Sequence, residues 1–245
     1  MSESEASAEG ENPGRGGERA GDVPVVTIDG PSGAGKGTVA RELAQHLGYH
    51  LLDSGAVYRA AALHVLRAGV SPDEEAPAIA ALASLDVSFM PDGGGVRVFF
   101  GDEEVTAELR TELTAAAASR VAAMPEVRAR LLPQQRSFRL APGLVADGRD
   151  MGTVVFPDAT LKVFLTASAE TRAGRRAKQL KEKGIDATMR SLLEDIEARD
   201  RRDATRTHSP LLAAEGALVI DSSDLAADAV VARVVEVFEE KSRPG

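Results

Sequence analysis

The sequence predicts an α/β fold, a three-layer sandwich with a five-stranded parallel sheet in the middle. Five short apolar runs alternate with stretches of helical periodicity, and the runs are at residues 25–29, 49–52, 143–150, 161–165 and 217–221. This alternation is typical of a parallel sheet that is covered by helices on both faces. A further pair of runs at residues 85–104 flanks a glycine-rich turn, which predicts a small antiparallel sheet inserted beside the core.

The first apolar run leads into a glycine-rich loop that is typical of phosphate binding. This phosphate loop reads Gly30-Pro31-Ser32-Gly33-Ala34-Gly35-Lys36-Gly37-Thr38. Its glycines let backbone N–H groups converge on one point, and the next helix directs the positive end of its dipole there. Lys36 can reach the β- and γ-phosphates of a nucleotide. We therefore expect ATP or GTP here, although Gly37 stands where a Ser or Thr usually offers a hydroxyl to Mg²⁺.

The second run ends in a group of polar side chains. Strand 49–52 is followed by a turn and then by a helix that ends at about residue 68. The turn contains Asp53, Ser54, Tyr58 and Arg59. Parallel sheets bind their ligands at this end of the strands. Arg59 either holds an anionic acceptor or is a solvated helix residue, and the local pattern alone favours the solvated residue.

The remaining helices follow from apolar spacing. They are predicted at residues 38–47, 109–121, 127–138, 170–184, 186–206 and 224–240, with Pro125 separating the second from the third. We expect residues of about 54–125 to form an insert next to the sheet. The arginine-rich stretch of about 170–190 is expected to be a short lid over the site.

The third run carries charged side chains at its carboxyl end. Asp147, Arg149 and Asp150 lie there. Because the carboxyl ends of parallel strands share one edge of a sheet, these side chains are expected near the phosphate loop.

The most charged part of the chain lies between the fourth and fifth runs. One interpretation is a pair of solvated helices held by intrahelical ion pairs. However, Arg199, Asp203 and Arg206 are spaced i, i+4 and i+7, which puts two guanidinium groups and a carboxylate on one helix face. Such a face suits a phosphate together with a sugar hydroxyl.

Composition excludes several classes of protein. A net charge of −9 and the absence of tryptophan disfavour a nucleic-acid binder. The chain has no cysteine, which excludes disulfides and thiolate catalysis. No run approaches the ~18 apolar residues of a membrane span. We expect a cytoplasmic, monomeric protein with a disordered acidic tail at residues 1–22 and a single domain at 23–245.

A phosphate loop occurs in GTPase switches, in motors and in kinases. GTPases read guanine with an NKxD segment, but the only asparagine of this chain is Asn12, in the tail. DNA-dependent ATPases need a basic face, which the charge disfavours. Kinases of small molecules need a phosphate loop, an acceptor pocket and a mobile arginine-rich cover. All three can be assigned here.

Four segments together resemble the bacterial cytidylate kinase family, which belongs to the nucleoside monophosphate kinases of the P-loop NTPase fold. They are GPSGAGKGT at 30–38, LLDSGAVYR at 51–59, ADGRDMGTVVFPDA at 146–159 and RDxRDxxR at 199–206. The resemblance covers the chain from about Val23 onward. The Lys-Gly-Thr ending of the loop is shared by this wider group of kinases, and the 85–104 hairpin is similar to the acceptor-binding insert of the long bacterial form.

The resemblance implies a role for each polar position. Lys36 and the phosphate loop would hold ATP. The base of the acceptor would face Ser119, Arg128 and Asp150. The sugar would be held by Arg199 and Asp203, and the phosphate of the acceptor by Arg59, Arg149 and Arg206. Asp53, Ser54 and Tyr58 would shape the same pocket. The charge of the transferring group would be neutralised by Lys36, Arg149 and the lid candidates Arg172, Arg175, Arg176 and Arg202.

The implied reaction is in-line transfer of the γ-phosphoryl group of ATP to CMP or dCMP, with Mg²⁺ as cofactor. Asp147 is the candidate for holding the metal through water. Two alternatives stay open, which are a kinase for another monophosphate such as UMP or AMP, and a nucleotide-binding regulator without catalysis.

Overall fold

The structure is a computed structural model that describes residues 23–92, 95–182, 184–205 and 209–242. The elements of the first half are β1 (Val25–Asp29), α1 (Lys36–Leu47), β2 (His50–Asp53), α2 (Ser54–Arg67), α3 (Glu75–Leu82), β3 (Val87–Asp92), β4 (Gly95–Phe100), β5 (Glu103–Glu104), α4 (Thr106–Leu109), α5 (Glu112–Val121) and α6 (Pro125–Arg136). Those of the second half are β6 (Leu144–Gly148), a π-helical turn (Met151–Val155), β7 (Leu161–Thr166), α7 (Ala169–Glu182), α8 (Met189–Ala204), β8 (Leu218–Asp221) and α9 (Ala227–Ser242).

The predicted parallel sheet is confirmed. Its five strands lie in the order β2-β6-β1-β7-β8, and all their pairings are parallel. The register pairs Asp29 of β1 with Gly148 of β6, and Asp53 of β2 with Asp147 of β6. The carboxyl ends of these three strands therefore lie side by side, which is where such sheets bind their ligands.

Alternating side chains of the sheet pack into two separate cores. Val25 belongs to a buried cluster with residues of α2, α5 and α6, whereas Val26 and Ile28 belong to a cluster with residues of α1 and α9. A strand that is apolar on both faces needs helices on both sides. The result is the predicted three-layer sandwich, with the edge strand β8 less covered, since Val219 is exposed.

The predicted antiparallel sheet is also present and contains three strands, β3, β4 and β5. Val98 of β4 packs in a small buried cluster with Ala60 and Leu63 of α2, which holds this sheet against the core. The helices α3 and α4 and the two-residue strand β5 were not predicted. Each is too short to show a clear apolar period.

Several predicted boundaries differ from the structure, and three of them have a clear local cause. α1 begins at Lys36, two residues early, because Gly35 caps it with a φ of 93°. Residues 54–59 are helical rather than a turn, since Asp53 Oδ1 accepts a hydrogen bond from Ala56 N at 2.9 Å and starts α2 at once. Pro125 is the first residue of α6 rather than a break before it, a position where its missing N–H is not needed.

The charged stretch forms the antiparallel pair α7 and α8, whose contact is a small cluster of Ala173, Leu180 and Leu192. The described part of α8 is Met189–Ala204, and the predicted site residue Arg206, like residues 1–22, lies outside the described residues. Among the described helices, none has the length and apolarity needed to cross a membrane.

Candidate active site

The phosphate loop connects β1 to α1 by a path that only glycine allows. Gly30 has a φ of 148°, and a Cβ on it would lie 1.9 Å from the carbonyl oxygen of Leu165 in β7. Gly35, also at positive φ, is the residue whose carbonyl accepts the N–H groups of Thr38 and Val39, both at 3.1 Å. The loop thereby wraps the amino end of α1, where backbone N–H groups and the helix dipole attract an anion.

Lys36 lies buried at the start of α1. Its Nζ donates a hydrogen bond to Pro31 O at 2.9 Å and lies 3.9 Å from Asp147 Oδ1. Burial, and then the nearby positive charge of Arg149, lower the pKa of this ammonium to about 7, while Asp147 acts in the opposite direction. A bound polyphosphate would favour the protonated form of Lys36 and raise its pKa again, so binding of an anion here is favourable.

Asp29 at the end of β1 fixes the backbone on the other side of the loop. Its carboxylate accepts hydrogen bonds from Met151 N and Gly152 N, each at 2.8 Å, and burial raises its pKa to about 7. A Cβ at Gly152 would lie 2.8 Å from Thr27 Oγ1, so the π-helical turn is pressed against β1. Asp29 thus ties the turn that follows Asp150 to the phosphate loop.

Asp53, at the end of β2, both caps α2 and forms an ion pair with Arg59. While its Oδ1 caps the helix, its Oδ2 accepts a hydrogen bond from Arg59 Nη2 at 2.8 Å. Both side chains are about one-third exposed. Ser54 and Tyr58 on the same helix are buried. Arg59 is therefore held by a carboxylate at the sheet edge, and its predicted role as an anion ligand stays open.

A cavity of about 170 Å³ lies beside this strand end, lined in part by Tyr58, Arg128, Asp150 and Gln135. Arg128 donates hydrogen bonds to Asp150 Oδ2 and to Ala122 O, and its guanidinium lies 5.4 Å from the ring centroid of Tyr58. Arg128 and Asp150 are nearly fully buried. This arrangement puts a carboxylate and a guanidinium together in the wall of a small pocket.

Two predicted residues of α8, Asp203 and Arg199, lie near the carboxyl ends of the strands. Arg149 Nε donates to Asp203 Oδ2 at 3.1 Å, and Asp203 is almost completely buried. Arg199 lies close enough to Lys36 for its charge to lower the pKa of that lysine. Lys36, Asp147, Arg149, Arg199 and Asp203 therefore form one charged group between the phosphate loop and α8.

The three arginines of α7 contact different parts of the molecule. Arg172 makes two hydrogen bonds to Asp200 of α8, at 3.0 and 2.6 Å, and one to Ser32 O of the phosphate loop at 3.2 Å. Arg175 contacts Ser222 after β8. Arg176 pairs with Glu112 of α5, so α7 is linked to the 54–125 insert. Arg202, by contrast, is exposed on α8.

Ser119 of α5 is buried, and its Oγ has no hydrogen-bond partner among the described residues. Asp29, Gln135 and Asp200 were not among the predicted residues. A signal for Asp29 was available, since it is a charged residue that closes an apolar strand directly before the loop. Asp200 belongs to the RDxRDxxR pattern, but its contact with Arg172 was not predicted, because the two residues are 28 positions apart in the sequence.

Comparison with known proteins identifies the family. A sequence model described as cytidylate kinase matches residues 26–240. The chain belongs to the cytidylate kinase family. Among its curated relatives, the cytidylate kinase of Aeromonas salmonicida (strain A449) is 54% identical over 219 residues, which cover 89% of this chain and 95% of the relative. That of Colwellia psychrerythraea (strain 34H / ATCC BAA-681) is 56% identical over 214 residues, covering 87% of this chain and 95% of the relative.

Proposed function

We propose that this protein transfers the γ-phosphoryl group of ATP to CMP and dCMP, giving ADP with CDP or dCDP. The observation that carries the proposal is the buried Arg128–Asp150 pair, which lines a base-sized cavity at the same sheet edge as the phosphate loop. Family membership supports the same reaction. An enzyme that joins two nucleotides needs both half-sites within reach of one another.

The donor half-site is the phosphate loop with Lys36. Backbone N–H groups at the start of α1 would take the β- and γ-phosphates of ATP, and the Lys36 ammonium would neutralise charge on the group that is transferred. Arg172 is fixed against Ser32 O and is thus held at the rim of this half-site.

The base of the acceptor would occupy the cavity beside Asp150. Its volume of about 170 Å³ is below the ~300 to 1,000 Å³ of pockets that take whole ligands, so it suits one part of a nucleotide. The Asp150 carboxylate can accept a hydrogen bond from the exocyclic amine of cytosine, whereas the O4 of uracil would face it unfavourably. A contact of this kind discriminates between bases by ~1 to 3 kcal/mol.

The sugar and phosphate of the acceptor would lie between the base cavity and the loop. Asp203 and Arg199 of α8 are assigned to the sugar hydroxyls, and Arg59 and Arg149 to the phosphate. Guanidinium groups suit this task because their donors match two phosphate oxygens at once. Arg206 is proposed for the same phosphate and lies outside the described residues.

The reaction needs no covalent intermediate and no dedicated base. The second pKa of a phosphate monoester is near ~6, so the acceptor is mostly ionised at neutral pH and can attack directly. The protein must hold two mutually repelling anions in line and neutralise the charge between them. Lys36 and Arg149 would supply part of this neutralisation, and Arg172, Arg175 and Arg176 of the lid, with Arg202, are proposed to complete it.

The acidic side chains of the site fit Mg²⁺ only if the nucleotide supplies most of its ligands. The described residues contain no cluster of three or more His, Cys, Asp or Glu side chains that could hold a metal by themselves. Asp147 lies at the loop, with Oδ2 3.4 Å from where a Cβ of Gly37 would be. Mg²⁺ keeps much of its water, so one carboxylate can hold it through that water. When bound, it would neutralise charge on the phosphates of ATP.

Replacing Asp147 by alanine is expected to raise the Mg²⁺ concentration for half-maximal activity by about 10-fold, the effect of losing an outer-sphere partner. A titration of activity against Mg²⁺ at fixed ATP measures it. Asp158→Ala is the control, because Asp158 is exposed and paired with Arg139 away from the loop. An unchanged Mg²⁺ requirement in Asp147→Ala would refute this role.

An ADP-release assay with CMP, dCMP, UMP and AMP as separate acceptors tests the function. CMP and dCMP are expected to give the highest kcat/KM. A UMP or AMP kinase would show the opposite order, and a nucleotide-binding regulator would bind ATP without turnover on any acceptor. Either result would contradict the proposal.

A further inference from the structure

Asp29 at the end of β1 is a buried carboxylate to which the proposed reaction gives no task. The residue is 3% exposed. A carboxylate in such a place is unfavourable unless its oxygens accept hydrogen bonds. Both oxygens do, since Met151 N donates to Oδ1 and Gly152 N donates to Oδ2. This buried group therefore holds two backbone amides of the chain that follows β6.

These two amides are the first of the π-helical turn (Met151–Val155). Inside the turn, the carbonyl oxygen of Asp150 accepts a hydrogen bond from Val154 N at 2.9 Å. The first N–H groups of a helical segment, by contrast, have no acceptor within it. Asp29 provides acceptors for both of them from another strand, and turns of this kind occur frequently at functional sites. Asp29 thus determines where the turn begins, directly after Arg149 and Asp150.

A glycine lets the turn lie this close to β1. A Cβ on Gly152 would be 2.8 Å from Thr27 Oγ1 and 3.4 Å from Asp29 Oδ2. The first of these distances is too short for a carbon–oxygen contact, so a side chain at position 152 would push the turn away from the strand. Thr27 Oγ1 is itself buried and has no hydrogen-bond partner among the described residues. The turn and β1 are therefore in direct contact, and Asp29 joins them.

The contact between Asp29 and the turn lies between the two proposed half-sites. Asp29 directly precedes Gly30, the first residue of the phosphate loop, and it is close enough to Lys36 and Asp150 for both charges to act on its pKa. Each half-site has contacts of its own, since Lys36 binds Pro31 O of the loop and Asp150 binds Arg128. The hydrogen bonds of Asp29 connect one half-site to the other.

We propose that Asp29 is a positioning residue, which holds the acceptor half-site at the distance from the phosphate loop that in-line transfer requires. This inference rests on the proposed function. Reacting atoms must lie in line and ~3 to 3.5 Å apart, and a misplacement of ~1 Å can lower the rate about 100-fold. Loss of these hydrogen bonds should therefore lower kcat, while each nucleotide, bound alone, keeps its affinity.

The variant Asp29→Asn keeps the size of the side chain and one of its two acceptor oxygens. We expect kcat with ATP and CMP to fall about 10- to 100-fold. The dissociation constants of ATP alone and of CMP alone, measured by titration calorimetry, should change less than about 3-fold. Asp221→Asn is the matched control and should keep the wild-type kcat. Asp221 also ends a strand of the sheet and accepts a backbone N–H, from Ser223 at 2.9 Å, but it is exposed.

A second set of variants changes the same distance without altering the carboxylate. Gly152→Ala adds the Cβ that would meet Thr27 Oγ1, and it should lower kcat about 10-fold. Thr27→Ala removes that oxygen and should change kcat less than about 2-fold. The double variant has room for the new Cβ, so its kcat should return to within about 3-fold of wild type. Such a recovery would tie the loss to the spacing between the turn and β1.

All these values are compared at a temperature at which thermal unfolding shows every variant to be folded. A wild-type kcat in Asp29→Asn would overturn the proposal. A loss confined to the affinity for one nucleotide would also overturn it, because Asp29 would then support one half-site rather than connect two. A double variant as slow as Gly152→Ala would do the same. Wild-type protein without turnover on CMP or dCMP is a distinct result, which would overturn the proposed function and this inference with it.

Discussion

Replacing Lys36 by methionine is expected to lower kcat/KM for CMP phosphorylation by about 100- to 1,000-fold, the usual loss when one preorganised group that stabilises transition-state charge is removed. The ammonium lies at the mouth of the phosphate loop, where it donates a hydrogen bond to Pro31 O and lies near the Asp147 carboxylate. Methionine fills similar space but cannot neutralise a phosphoryl group. Lys241→Met, at the exposed end of α9, is the matched control.

The same substitution should change how the stability of the nucleotide-free protein depends on pH. Burial lowers the pKa of Lys36 from 10.5 to about 7, so between these pH values the unfolded chain binds more protons than the folded one. Stability from this group therefore rises with pH across that window, and this slope should be missing in Lys36→Met. Thermal unfolding of both proteins between pH 7 and 10 measures this slope.

For the activity prediction, a kcat/KM of Lys36→Met within 10-fold of wild type would contradict the role given to Lys36.

Replacing Arg128 by methionine is expected to have the second-largest effect, on stability and base preference together. Arg128 and Asp150 are both buried, so removing the arginine leaves a carboxylate without its counter-ion. Breaking a buried pair in this way costs about 3 to 5 kcal/mol. Urea unfolding measures this loss. The preference for CMP over UMP should also fall, while ATP still binds.

A double variant tests whether the loss of stability comes from the unpaired charge of Asp150. Arg128→Met with Asp150→Asn removes both charges, and it should be more stable than Arg128→Met alone without regaining the preference for cytosine. Arg130→Met is the control, because Arg130 is exposed on the same helix. An unchanged ratio of CMP to UMP turnover in Arg128→Met would contradict the assignment of the base cavity.

The sheet and the phosphate loop could be predicted from the sequence because both depend on local patterns. Apolar runs define strands that are buried on both faces, and the glycine spacing around Lys36 defines the loop. The polar residues at the strand ends followed from the rule that parallel strands share one ligand-binding edge. The order of the strands has no such local signal and had to come from the structure.

The contacts that shape the site were not predictable in the same way. Asp29 holds Met151 and Gly152 across 122 and 123 residues of chain, and Arg128 meets Asp150 across 22. Pairings at such separations depend on which elements become neighbours in the fold. The π-helical turn after Asp150 is set by the two hydrogen bonds to Asp29, so it too has no signature in its own residues.

Gln135 lies between these two cases. Its place on an apolar helix face can be read from the spacing with Val127 and Leu131. That its Oε1 has no donor, and that the space beside it is a cavity with Asp150, became visible only in the structure.

The proposed activity of this site is transfer of a phosphoryl group from ATP to a cytosine nucleotide, with rejection of uracil. An equimolar mixture of CMP and UMP, incubated with the wild-type protein and limiting ATP, tests it most directly when the diphosphates are separated and counted. We expect CDP to exceed UDP by at least about 10-fold early in the reaction. Equal amounts of the two diphosphates, or release of ADP with neither formed, would contradict the account.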